Sequence, residues 1–203
     1  MVGFSRRHLF SLALVALLLS ACSAGGGGTP AGGASASGST STSAAGGFTV
    51  VGTDVQAMAS PAPAFPAAVT TAVTTTLDRW LDAAVLGPLR TGSRATGLEA
   101  VFTDQAQAAL APPGQQRASM VEDGTAGSGS VTKQKADAKL TALTSQTGDV
   151  VLVTAQVETA HAVRTGGGTV DVVRSGEVVL VPAASGWRID AFDMAAKHDT
   201  RPR

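Results

Sequence analysis

Among the residues whose chemistry could drive a reaction, His161 stands out, because it is the one histidine inside the regular structure the sequence dictates. By strand parity it falls on the same side as Val153, Ala155, Val157 and Val163. An inward imidazole beside a carboxylate is a general base, and Asp190 and Asp193 are the carboxylates within reach of such a scheme, although Asp190 has the opposite parity to Trp187 and Ile189. The balance favours a histidine that is solvated or hydrogen-bonded at the open end of a sheet. His198 sits in a polar tail, so no metal-ligand cluster forms and no metal is expected. No serine occupies a Gly-x-Ser-x-Gly elbow. Gly166-Gly167-Gly168 lacks the following lysine and the strand-to-helix context of a phosphate loop. Glu158 and Glu177 read as solvated sheet surface. Tyrosine is absent and aromatics make up 4% of the chain, which weighs against a sugar-stacking or cofactor-stacking platform. The expectation is therefore a non-enzyme, with no catalytic residues and no cofactor.

The single cysteine, Cys22, follows Leu19-Ser20-Ala21 at the end of an apolar run over residues 9–19 and precedes a glycine-serine tract. The apolar run is shorter than the ~20 residues a membrane-spanning helix needs and has the length of a signal-peptide core, with Arg6 and Arg7 as its positive flank. Leu19, Ser20, Ala21 and Cys22 resemble a bacterial lipoprotein lipobox. That resemblance implies cleavage before Cys22 and a thioether-linked diacylglycerol, with its palmitate-type acyl chains, on the cysteine sulfur. Two acyl chains anchor a protein stably where one does not. With the only thiol used for lipid, neither an internal disulfide nor a cysteine nucleophile is available. Ser5-Arg6-Arg7-His8-Leu9-Phe10 also looks like a twin-arginine export motif, with ordinary secretion as the alternative.

The whole chain carries 15 basic and 15 acidic residues. Loss of Arg6 and Arg7 leaves an acidic excess of two, which is no footprint for nucleic acid. Lys133, Lys135 and Lys139 form the only local basic cluster, and alternation would put the first two on one solvated face. Residues 23–47 are nearly all Ser, Ala, Gly and Thr. They cannot bury enough apolar surface to offset their ordering entropy, and as a random coil they span roughly 28 Å. The domain scheme is a signal peptide over 1–21, a lipidated and disordered tether over 22–64 stiffened by the prolines at 61–66, a folded domain over 65–195, and a polar tail over 196–203.

Within the domain, Val69, Val73, Leu77, Trp80, Leu81, Ala84 and Val85 recur at helical spacing, and Gly87-Pro88 reads as the stop. Thr96-Gly97-Leu98-Glu99 fits a capping box for a second helix continuing through Val101, Phe102 and Leu110. From residue 131 the period changes to two. Strands are expected over 131–143, from Val151 onward, over 170–181 with a bend at Ser175-Gly176, and through Trp187, Ile189 and Ala191. Trp80 and Trp187 are expected in the core, with a ligand-facing pocket as the alternative for them and for His161. Helices followed by four antiparallel strands make an α+β fold, with the helices packed on a curved four-stranded sheet.

Three segments resemble the NTF2-like cone fold as carried by small actinobacterial envelope lipoproteins: Leu98-Glu99-Ala100-Val101-Phe102-Thr103, Gly176-Glu177-Val178-Val179-Leu180-Val181-Pro182, and Gly186-Trp187-Arg188-Ile189-Asp190-Ala191-Phe192. The resemblance implies a fold and an extracytoplasmic, membrane-anchored location, not an activity. The functional expectation is a non-catalytic binding or accessory module of the cell envelope. Its partner would be an envelope protein or a small apolar ligand, and never nucleic acid. The alternatives are an isomerase or cyclase using His161 with Asp190 or Asp193, and a structural subunit of an envelope transport complex.

Overall fold

Phe48, Val50 and Val55 are each about 1% exposed, so a stretch that composition assigns to the tether supplies three core residues. It is a strand because alternate residues meet the core and the flanking glycines do not. The computed structural model describes residues 42–43, 47–57, 62–124 and 128–202, all inside one compact unit. The lipobox residues Leu19, Ser20, Ala21 and Cys22 lie outside the described residues.

The strands are β1 (Thr42–Ser43), β2 (Thr49–Gln56), β3 (Ser130–Thr144), β4 (Val150–Thr165), β5 (Gly168–Ala183) and β6 (Gly186–Pro202), and they form one sheet in sequence order. β2 runs parallel to β3, and the other pairings are antiparallel. Parallel neighbours need a crossover, and the helices among the described residues lie in it. They are α1 (Ala67–Trp80), a π-helical turn (Leu81–Leu86), α2 (Gly87–Thr91), a 3-10 turn (Leu98–Ala100), α3 (Asp104–Leu110) and α4 (Gln115–Met120).

This architecture overturns the NTF2-like expectation. Strand accounts for 49% and helix for 28% of the structure, and the sheet is mixed and six-stranded, not helices laid on four antiparallel strands. Two segments taken for unstructured chain make the difference. β2 lies inside the expected tether, and its period is hidden by a bulge between Val50 and Gly52 that leaves Val51 half exposed. The expected polar tail continues β6, where residues 197–202 pair with 168–173 of β5. Its side chains are polar because this end of the strand is solvated on both faces, yet the ladder is complete.

Local signals fared better on one side of each element. The Gly87-Pro88 stop fails because the π-turn places Pro88 in the first turn of α2, where a missing N–H costs nothing. The chain ends its helix instead at Gly92, whose φ of 70° is left-handed. The Thr96 capping box yields only the 3-10 turn, and Thr103 caps α3 by accepting from the Ala106 N–H at 3.3 Å. The threonines of α1 turn inward on their own helix: Thr71, Thr74, Thr75 and Thr76 each donate to the carbonyl four residues back.

The helices cover one face of the sheet. Val73, Leu77, Trp80 and Leu89 pack there against Ala138, Leu140, Val153, Ala155, Val178 and Leu180, all fully buried. Trp80 stacks on Phe48 with centroids 6.2 Å apart and donates its indole N–H to the Met120 carbonyl at 3.0 Å. Among the described residues no helix packs on the other face of the sheet.

Candidate functional site

His161, Trp80 and Trp187 resolve first. His161 is not at a solvated open end of the sheet as expected: it is fully buried, as is Trp80, in the helix-covered face, since its strand parity puts it among Val157, Val163 and Val172 under the helices. Trp187 is half-buried against the same core, and its carbonyl accepts from Thr76 Oγ1 at 3.0 Å. The acid–base scheme finds no geometry. Asp190 lies beside Ile189, which pairs with Leu180, whereas His161 pairs with Val172. The offset along β5 is eight residues, roughly 26 Å at ~3.3 Å per residue. Asp190 accepts from Thr103 Oγ1 at 2.7 Å. Asp193 faces the opposite side of the sheet from His161, because it pairs with Glu177 on the helix-free face. Among the described residues no group of three or more His, Cys, Asp or Glu is placed to hold a metal, and no helix is long and apolar enough to cross a membrane.

On the inner face the structure assembles a charged cluster that sequence reading missed. Arg174 follows Val170 and Val172 at inward parity on β5 and is fully buried. Its Nη2 donates to Glu122 Oε1, and its Nε donates to the Ser119 carbonyl at 3.2 Å. His198, opposite Val172 across β5–β6, places Nε2 at 2.6 Å from the same Glu122 oxygen. The Glu122 backbone N–H donates to the Ala84 carbonyl at 2.8 Å, so one residue joins the π-turn, α4 and two strands. Burial acts to raise the Glu122 pKa, but the His198 hydrogen bond and the Arg174 charge and hydrogen bond outweigh it, and the carboxyl sits below its ordinary value. Arg174 moves down, chiefly through burial. Arg174 Nη1 and the Thr159 hydroxyl directly opposite find no hydrogen-bond partner among the described residues. The signal for this cluster was in the sequence: an arginine at an inward position of a valine strand must bring an anion with it.

Two hollows lie on the face of the sheet that no described helix covers, and a third, of about 450 Å³, lies on the helical layer between α1 and the 3-10 turn. Side chains from β2 to β6, from Val51 to Asp193, line one hollow of about 570 Å³. A second hollow of about 490 Å³ adjoins it and shares Lys139, Gln156 and Glu177. Five strands enclosing one hollow means that this face is dished. The register explains its chemistry: Gly52, Lys139, Gln156, Glu177 and Asp193 are successive cross-strand partners and form one row across the sheet. The Lys139 stem lies over Gly52, where no side chain blocks it. Gln156 Nε2 donates to Glu177 Oε2 at 3.3 Å. In the adjacent row Asp137 faces Glu158, and Lys135 joins them at 3.7 Å and 2.6 Å. The simple alternation expected through Lys133 and Lys135 is interrupted, since a register shift between them sets Lys133 opposite His161 and Lys135 opposite Ala160.

No bulge falls at Ser175-Gly176, where the ladder runs unbroken to both neighbours and the irregularity of β5–β6 lies instead at Val179/Leu180; Gly176 matters to this trough for closeness of approach. Gly176 has a φ of 150°, and a Cβ there would collide with the Asp193 carbonyl and Met194 of β6. Only glycine lets β6 approach β5 so closely at the trough's edge. No protein-family model matches this chain, and no curated protein and no solved structure is significantly similar to it.

Proposed function

We propose that this chain is an extracytoplasmic lipoprotein, anchored through a diacylglycerol on Cys22, whose folded part is a non-catalytic binding module of the cell envelope. The observation that carries the binding reading is the trough on the helix-free face, dished, lined by charged and amide side chains, and not covered by any described element. The apolar side chains between helices and sheet are packed together, and a third hollow of about 450 Å³ lies on the helical layer beside Thr75, Arg79, Gly97 and Val101; the trough is favoured over it because five strands converge there with charged side chains that suit an envelope partner better than a small apolar ligand. The lipobox resemblance of Leu19, Ser20, Ala21 and Cys22 supports the anchor, and a glycine-serine tract behind it supports a tethered domain.

Two measurements test the reading. Cys22→Ala should move the protein from the membrane fraction to the soluble fraction, and mass spectrometry of the native N-terminus should find a diacylglyceryl cysteine. An intact leader or an unmodified thiol overturns the anchor. A photoreactive residue at Ser175, in the trough, should trap a bound molecule in cells, while the same residue at exposed Thr71 on α1 should not. Trapping from Thr71 alone, or turnover in a broad hydrolase and isomerase screen, overturns the binding module.

A further inference from the structure

Two pairs of carboxylates face each other directly across neighbouring strands in the trough, and they are treated differently. Like charges at such positions repel. Asp137 and Glu158 have their cation built in, since Lys135 reaches both. Glu177 and Asp193, one row over, form no ion pair with any described residue; the only polar contact to Glu177 comes from the neutral Gln156 amide. At the other end of the same row stands Lys139, which also makes no ion pair among the described residues. The row is thus polarised, with an ammonium on β3, an amide on β4 and two carboxylates on β5 and β6. Three strand intervals separate its ends, about 14 Å.

We infer that the trough is a docking site for an extended polypeptide segment of a partner protein, lying across the strands with a lysine or arginine between Glu177 and Asp193 and a carboxylate toward Lys139. The inference rests on the binding reading above and specifies its chemistry. An extended chain advances ~3.3 Å per residue, so a basic and an acidic side chain four residues apart match the row. Gln156 at its centre presents an amide able to donate to and accept from a peptide backbone. A polyamine would satisfy the carboxylates and leave Lys139 unused, and an anionic polymer would satisfy Lys139 and be repelled by the carboxylates.

The test uses the isotopically labelled full chain and the peptide acetyl-Lys-Ala-Gly-Ala-Asp-amide, followed by NMR. The peptide should shift the amides of Lys139, Gln156, Glu177 and Asp193 saturably. Replacing its lysine by norleucine, or introducing Glu177→Gln with Asp193→Asn, should weaken binding about two- to fivefold. Lys139→Met should remove the preference for the peptide's aspartate over asparagine and leave its lysine dependence intact. Equal binding of the norleucine peptide overturns the proposal, as does the absence of shifts at these amides up to the solubility limit. Spermidine shifting the same amides as strongly as the peptide, with no contribution from Lys139, would assign the site to a polyamine and also overturn it. Trapping from Ser175 in cells without peptide binding leaves the binding module standing and removes only this inference; no trapping from Ser175 removes the module itself.

Discussion

The two faces of the sheet handle charge in opposite ways. On the inner face, Arg174, Glu122 and His198 converge under the helices, and Glu122 and Arg174 are almost wholly removed from water. There a charge is tolerable only with its partner, because desolvation costs several kcal/mol per ion unless it is compensated. On the outer face, Glu177 and Asp193 oppose each other without a cation, which water and salt make tolerable. The inner charges are bound up in the fold itself. On the outer face Lys135 already pairs with Asp137 and Glu158, and only the Glu177–Asp193 pair has no ion-pair partner among the described residues. A buried ion cluster therefore marks architecture in this protein, and the incompletely neutralised surface row is the recognition surface we propose.

That contrast can be broken from the inside first. Glu122→Ala leaves Arg174 buried and without its anion, and should cost about 3–5 kcal/mol of unfolding free energy in urea titrations. Removing both charges with Glu122→Gln and Arg174→Met should be less damaging than Glu122→Ala alone. If the double variant is the worse of the two, the cluster does more than satisfy its own charges. Gly176→Ala comes next. Its left-handed φ and the collision with β6 should cost about 1–3 kcal/mol, read as a lower urea midpoint, and the same change should distort the trough.

The acid response of the inner cluster is a smaller effect with a definite sign. The Glu122 pKa is lower in the folded protein than in the unfolded chain. Its contribution is therefore fully present above the ordinary glutamate value of about 4.3 and is lost as the pH falls through the lower folded value. Urea midpoints should drop on acidification through that window, and Glu122→Gln should flatten this part of the profile. The smallest expected effect lies outside. Glu177→Gln relieves a like-charge pair and should change stability by no more than about 0.5 kcal/mol, in the stabilising direction. A thermal midpoint lowered by that substitution would mean that Glu177 supports the fold, and the distinction between the two faces would fail.

Much of the antiparallel sheet was legible along the chain. The alternation of Ala136, Ala138, Leu140 and Ala142, and of Val153, Ala155 and Val157, named the inner face correctly, because a half-buried strand must alternate, whereas Val151, expected on the same face, is exposed beside the register shift between Leu143 and Thr144. The same parity placed His161 inward and Trp80 emerged from helical spacing as core. The readings failed where a backbone irregularity or a solvated end hid the period. The bulge at Val51 disguised β2, the bulge after Ile189 brought Phe192 back to the side of Ile189, and the polar residues 197–202 gave no apolar pattern to follow. The anchor residues Leu19 to Cys22 belong to the sequence alone, since they lie outside the described structure.

The sequence by itself determined the alternating strands β3 to β5, the inner face of most of their residues, and the lipobox-like run from Leu19 to Cys22. Those properties depend on residue type and local period. Only the tertiary structure decided that β2 joins β3 in parallel, that Glu122 meets Arg174 across 52 residues, and that Lys139, Gln156, Glu177 and Asp193 fall into one row. Each of these is a matter of register between distant segments. Register is fixed by how whole strands and the helical crossover pack together, and no local stretch of sequence contains it.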